Sequence, residues 1–301
     1  MAVKAVLIAG PTASGKSALA LALAETLDAT IVNADSMQVY REAPILTARP
    51  GKAEMARLPH RLYGHVGVRD PYSVGRFARE AAKVLAEIAD TAIFVGGTGL
   101  YFSALTEGLA DIPAVPADIR QRARARLEEI GARALHGELA ARDPESASRL
   151  RPSDPQRILR AYEVLEATGQ PLVHWQAQKA SPPILAGIST VKLVLDLPRA
   201  ALRARIKERL RAMLAQGALQ EARALAELDP ALPAAKILGL REFALLAKGE
   251  LSEDEALKRA AIATGQFAKR QSTWFRNRMA DWKWLDASDC ATIVDDLRTG
   301  F

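Results

Sequence analysis

Eight residues near the start of the chain constrain its fold more than any others. Gly10-Pro11-Thr12-Ala13-Ser14-Gly15-Lys16-Ser17 fits the pattern G-x-x-x-x-G-K-[ST], a loop built to cradle phosphates. The stretch before it, Ala5-Val6-Leu7-Ile8-Ala9, is a continuous apolar run, as expected of a strand buried on both faces of a parallel sheet. The stretch after it, residues 17–27, has helical composition. Gly10 and Gly15 let the backbone curl so that amide N–H groups point inward, and the helix N-terminus adds partial positive charge. Lys16 supplies a point charge for phosphate oxygens, and the Ser17 hydroxyl can bind Mg2+. Such a loop recognises a diphosphate but leaves open what the diphosphate is attached to.

Further strand candidates are residues 29–32 and 91–95, and residues 72–88 have a helical pattern. Strands separated by helices predict an α/β fold with a parallel sheet flanked by helices. The pattern changes around Ile112. Pro113 and Pro116 punctuate it, residues 118–139 are Arg/Glu/Ala-rich and helical, a second helix is expected over 155–168, and Ser181-Pro182-Pro183 closes the region. Residues 191–195 resume the sheet, and residues 199–279 are almost wholly helical. The expected organisation is a phosphate-loop core made of 1–112 and 189–301, interrupted by a helical insertion domain over 113–188.

Composition excludes several classes. With 49% apolar and 25% charged residues, the chain is neither collagen-like nor disordered. No stretch reaches the ~18–20 apolar residues of a membrane helix. A signal-peptide layout is lacking at the start, so export is expected to be absent. One cysteine, Cys290, forbids an internal disulfide framework, and a cytoplasmic location is the default. The net charge of +6 is unevenly spread: residues 1–112 balance, whereas residues 191–283 carry +7. A basic body points to a polyanionic partner or to a solvated basic face.

Asp35 lies just past the second strand, where ligands bind in open α/β sheets. It could hold Mg2+ beside the phosphates, act as a general base, or cap a helix. The third strand ends in Gly96-Gly97-Thr98-Gly99, without the metal carboxylate usual in nucleotide hydrolases, which argues against simple ATP hydrolysis. This second glycine-rich turn allows a ligand close to the backbone, and Thr98 could hydrogen-bond a phosphate or a base. Arg205 and Arg209, four apart, share a helix face and could reach a diphosphate. His60 and His65 have no cysteine nearby and suggest no metal site, while His136 and His174 are expected at the surface.

Taken together, ordered segments over nearly the whole chain resemble the tRNA dimethylallyltransferases. They are Gly10 to Ser17, Asp35-Ser36-Met37-Gln38-Val39-Tyr40-Arg41, Pro59-His60, Val95-Gly96-Gly97-Thr98-Gly99-Leu100-Tyr101, Asp154-Pro155-Gln156-Arg157-Ile158-Leu159-Arg160-Ala161, Met213-Leu214 with Gly217, and Ala268-Lys269-Arg270-Gln271 with Thr273-Trp274-Phe275-Arg276. The resemblance implies transfer of a dimethylallyl group from dimethylallyl diphosphate to the exocyclic amine of the adenosine 3′ of the tRNA anticodon. It further implies that Gly10, Pro11, Thr12, Ala13, Ser14, Gly15, Lys16, Ser17 and Arg209 bind the diphosphate, with Mg2+ as cofactor at Ser17. Asp35 and Thr98 are the implied catalytic residues. The implied tRNA contacts are Asp35, Ser36, Met37, Gln38, Thr98, Arg120, Gln156, Arg157, Ile158, Leu159, Arg160, Lys236, Gly239 and Arg241. The expected partners are the anticodon stem-loop and the prenyl donor, with no membrane and a monomeric chain.

Three segments depart from the family pattern: Arg61-Leu62-Tyr63-Gly64, Gly239-Leu240, and Thr264-Gly265-Gln266. Three rivals remain: a P-loop kinase, a prenyltransferase for free adenine nucleotides, and a non-enzymatic RNA-binding module. The kinase leaves the basic later half unexplained. The free-nucleotide enzyme has no need of the insertion. The binding module has no need of a complete phosphate loop beside Asp35.

Overall fold

A computed structural model describes residues 4–178, 181–286 and 289–300. Strand β1 (Lys4–Ala9) leads through the phosphate loop into α1 (Lys16–Leu27), followed by β2 (Thr30–Asn33), α2 (Lys52–Arg57), β3 (His60–Arg61), α3 (Val74–Glu87), β4 (Thr91–Gly96) and α4 (Gly99–Thr106). Helices α5 (Ala117–Arg142), α6 (Pro144–Ser148), α7 (Pro155–Thr168) and α8 (Leu172–Ala177) come next. The sheet resumes with β5 (Ser189–Leu195). Then follow α9 (Arg199–Gln216), α10 (Ala218–Ala224), a 3-10 turn over Pro233–Lys236, α11 (Leu240–Ala247), α12 (Glu253–Arg278), β6 (Lys283–Leu285) and α13 (Cys290–Gly300).

Among the described residues the strands form one sheet in the order β3-β2-β4-β1-β5-β6, and every pair is parallel. The apolar run of β1 explains its central place. Ala5, Leu7 and Ala9 enter one hydrophobic core while Val6 and Ile8 enter the other, because successive side chains point to opposite faces. The larger core includes residues of α3, α4 and α9 to α12; the smaller is covered by α1 and α13. In β4, Phe94 faces the first core and Ile93 and Val95 the second, all essentially out of solvent.

The chain divides into two units, one ending at Thr106 and resuming at Ile184, the other spanning Glu107–Pro183. The sequence pattern places the insertion at 113–188. The helical unit has its own small core of Leu139, Ala147, Ala161 and Leu165. Its caps are legible locally. Asp143 accepts the Ser146 N–H at 2.9 Å and Asp154 the Arg157 N–H at 3.2 Å, each followed by proline at the first helical position.

Several expectations need adjustment. The helix expected over 118–139 is broken at Gly131, whose φ of 77° lies outside helical geometry, and an Arg126–Glu138 ion pair bridges the break. The helix expected over 72–88 starts at Val74 because Ser73 caps it. His136 is half-buried rather than at the surface, and its Nε2 reaches the Ala147 carbonyl at 3.0 Å. The two- and three-residue edge strands β3 and β6 are too short to leave a periodic signal. Among the described residues no helix is long and apolar enough to cross a membrane.

Candidate active site

The phosphate loop turns at Gly15, whose φ of 100° at the N-cap of α1 belongs to the left-handed region that favours glycine. Upstream, the Ser14 N–H bonds the Pro11 carbonyl at 3.2 Å. Two arginines of α9 lie across this loop: Arg209 Nη2 donates to Thr12 Oγ1 at 2.6 Å, and Arg205 Nη1 to the Ser14 carbonyl at 3.1 Å. They share a helix face, as their spacing of four requires. Lys16 is half-buried, with Nζ 3.3 Å from the Pro11 carbonyl. Burial pulls its ammonium down to about 8; Asp35 opposes the shift and Arg209 adds to it. Burial lowers Arg209 as well, against the pull of Asp35. These cations are desolvated beside too little negative charge, which is the electrostatic signature of an anion site.

Lys16, Ser17, Arg205 and Arg209 share a cleft of about 440 Å³ with Asp35, Gln38 and Glu208. Asp35 reaches it from the end of β2. The fully buried Asn33 sets the turn: its Nδ2 donates to the carbonyls of Asp35 and Leu62 at 2.9 and 3.0 Å, and its Oδ1 accepts the Asp35 N–H at 2.9 Å. Asp35 Oδ1 accepts the Met37 N–H at 2.9 Å. One carboxylate oxygen therefore has the local capping role and Oδ2 is left for other chemistry. Thr98 docks on the same turn: its N–H donates to the Ala34 carbonyl at 3.3 Å, and its Oγ1 accepts the Ser36 N–H at 2.9 Å and donates to Ser36 Oγ at 3.2 Å. Thus two segments about 60 residues apart in sequence meet beside the phosphate loop.

The family model described as IPP transferase matches residues 38–278, and that described as isopentenyl transferase matches residues 3–69. The chain belongs to the IPP transferase family. A tRNA dimethylallyltransferase of Chelativorans sp. (strain BNC1) is 53% identical over 93% of this chain and 97% of its own. One from Rhizobium meliloti (strain 1021) is 48% identical over 95% and 96%. Among solved structures, a eukaryotic dimethylallyltransferase acting on tRNA superposes with a TM-score of 0.79 at 28% identity, covering 96% of this chain and 75% of that one. The full-length tRNA isopentenylpyrophosphate transferase of Bacillus halodurans gives 0.67 at 31% identity, covering 98% and 95%.

The remaining predicted residues of this IPP transferase family member fall into three groups. Gln38 is held by its own amide, whose Nε2 donates to the carbonyls of Thr47 and Ala48 at 3.0 Å each. Lys236 and Arg241 are exposed and Gly239 is the buried left-handed N-cap of α11; none of the three lines the cleft. In the helical unit, Gln156, Arg157 and Arg160 are exposed. Arg157 and Arg160 pair loosely with Asp154 and Glu163 at 3.6 and 3.9 Å. Arg120 donates Nε and Nη2 to the Val115 carbonyl at 3.0 and 2.8 Å, and its charge is felt at Arg160. Ile158 differs from its neighbours in the motif. It is fully buried, on the inward side of α7, so its side chain serves the fold; Leu159 beside it is half-buried.

The residue patterns pass over a loop brace. Glu221 of α10 accepts the N–H groups of Ile45 and Leu46, both at 2.9 Å, and so holds the loop whose carbonyls fix Gln38. A lone glutamate in a helix carries no local sign of such a contact, because the partner lies 175 residues away.

Proposed function

We propose that this protein transfers a dimethylallyl group from dimethylallyl diphosphate to the exocyclic amine of the adenosine 3′ of the anticodon in tRNA, giving isopentenyladenosine. One observation carries the reading: Lys16, Arg209 and Asp35 share one cleft. The reaction needs an anion site for the leaving diphosphate beside a carboxylate for the proton. Membership of the IPP transferase family and relatives named tRNA dimethylallyltransferase support it.

In this reading residues 10–17, Arg205 and Arg209 hold the donor's diphosphate. Ser17 and Asp35 line the same cleft, while among the described residues no cluster of three or more His, Cys, Asp or Glu could cage a metal. The Ser17 hydroxyl suits Mg2+, which keeps waters and takes its other ligands from substrate phosphates, and this leaves the Asp35 carboxylate free for the proton. Mg2+ held at Ser17 would neutralise charge on the departing diphosphate. The adenine amine attacks the allylic C1. The N–C bond forms as the C–O bond breaks, diphosphate leaves with the bonding pair, and the amine proton passes to Asp35 Oδ2. The Thr98 hydroxyl, with one N–H accepted and its own proton donated, keeps a lone pair to accept the second amine N–H and aim the nucleophile.

We assign tRNA contact to Asp35, Ser36, Met37, Gln38, Thr98, Lys236, Gly239 and Arg241 in the sheet unit, and to Arg120, Gln156, Arg157, Leu159 and Arg160 in the helical unit, with the anticodon stem-loop as the bound element. Loop bases can be splayed out for chemistry at lower cost than paired ones. A monomer in the cytoplasm completes the reading. Incubation with labelled dimethylallyl diphosphate and total tRNA, followed by nucleoside analysis, tests it. Labelled isopentenyladenosine is the expected product, and tRNA that stays unlabelled refutes it.

A further inference from the structure

Gln271 of α12 is buried, with 6% of its surface exposed, and both ends of its amide are engaged. Its Oε1 accepts the Thr12 N–H at 2.9 Å and its Nε2 donates to the Gly97 carbonyl at 2.8 Å. The partners settle which end is oxygen, since Thr12 offers only a donor and Gly97 only an acceptor. A single side chain thus ties the phosphate loop to the turn that carries Thr98.

The glycines of that turn are matched to α12. A Cβ on Gly97 would lie 2.2 Å from Gln271 Nε2, and one on Gly99 would lie 2.2 Å from the Trp274 ring. The turn therefore rests on α12 with no side-chain layer of its own between them. From there the connection runs on. Thr98 Oγ1 holds the Ser36 N–H, next to Asp35. Thr12, at the other end, also accepts Arg209 through its hydroxyl.

We infer that Gln271 is a positioning residue: it sets the spacing between the diphosphate loop and the Asp35–Thr98 edge, and hence between leaving group and proton acceptor. The inference rests on the prenyl-transfer reading, and a misplacement of about 1 Å far from the chemistry can cost ~10²-fold in rate.

Gln271→Glu tests it. At pH 8 the ionised carboxylate still accepts from Thr12 but sets a second oxygen against the Gly97 carbonyl, and loss of one buried hydrogen bond of this kind is worth about tenfold. Protonation restores an O–H donor of the same shape. In Q271E, kcat and the affinity for inorganic diphosphate should both fall at pH 8, and both should recover relative to the parent as the pH is lowered. Q271M, which lacks both polar atoms, should stay low at every pH while remaining folded at the assay temperature, with a melting temperature several degrees below the parent's. Parent-like kinetics of Q271E at pH 8, or a deficit that acid leaves unchanged, overturns the inference. So does failure of both variants to fold at the assay temperature, which would make Gln271 an element of the fold alone. Parent activity on dimethylallyl diphosphate and tRNA reports separately on the transferase reading, and the diphosphate affinities decide the Gln271 question even with an inactive parent.

Discussion

Lys16 should couple donor binding to a proton. In the free protein its ammonium titrates at about 8, held down mainly by burial, whereas an ordinary lysine titrates at ~10.4. A diphosphate in the cleft places negative charge beside it and favours the charged form. The free-state value is the lower one, so binding takes up a proton, and affinity must fall as pH rises above about 8. Below that value Lys16 is already charged and affinity is flat with respect to this group. Above it the loss approaches tenfold per pH unit. At pH 9.5 it amounts to about 30-fold, or about 2 kcal/mol at 1.36 kcal/mol per unit. The donor's phosphates do not confuse the measurement, because their last protons leave near pH 6. Calorimetric titration of dimethylallyl diphosphate at constant Mg2+, in two buffers of different ionisation enthalpy, counts the protons directly. Lys16→Arg keeps the charge throughout and should flatten the profile. Asp35→Asn removes the carboxylate that holds the Lys16 value up, so the decline should begin at lower pH. An affinity unchanged between pH 7.5 and 9.5 with no proton uptake refutes the reasoning.

Asp35→Asn should also cut the single-turnover rate by ~10²–10⁴-fold, with the melting temperature kept, because the amide oxygen still accepts the Met37 N–H; a rate within a few-fold of the parent excludes Asp35 as the base. Affinity for tRNA should drop steeply with salt, and Arg157→Ala with Arg160→Ala should shallow that slope by about one unit of log–log gradient for each phosphate no longer neutralised, measured by filter binding. Ile158→Ala, at a fully buried site of the helical unit, should destabilise that unit by about 2–5 kcal/mol; a thermal melt unchanged by the substitution rules out the core assignment. Glu221→Ala frees the Ile45 and Leu46 amides and should raise the KM for tRNA more than that for the donor, which steady-state kinetics with each substrate varied in turn can check.

The sequence by itself determined whatever depends on neighbours along the chain. The phosphate loop is legible because a strand, eight residues and a helix are contiguous, and its glycine at a φ of 100° is a local necessity. The caps at Asp143 and Asp154 have the same character, their partners being three residues away. The pairing of Asp35 with the loop followed from a general property of parallel sheets, that strand ends converge on one edge. The tertiary structure alone decided which side chains of distant segments meet there. Arg209 reaches Thr12 across 197 residues and Gln271 reaches it across 259. The four-residue spacing of Arg205 and Arg209 made that face of α9 legible as a diphosphate contact, but not its bond to Thr12, and nothing in the composition of α12 distinguishes Gln271 from the other polar residues on that helix. The same holds for Ile158, which stands in a motif beside two exposed arginines and turns inward because successive residues on a helix lie about 100° apart. Local conformation is set by short-range sterics and hydrogen bonds that a sequence displays; the partner of a buried polar group is set by which surfaces pack together, and the sheet order β3-β2-β4-β1-β5-β6 settles that only once the whole chain has folded.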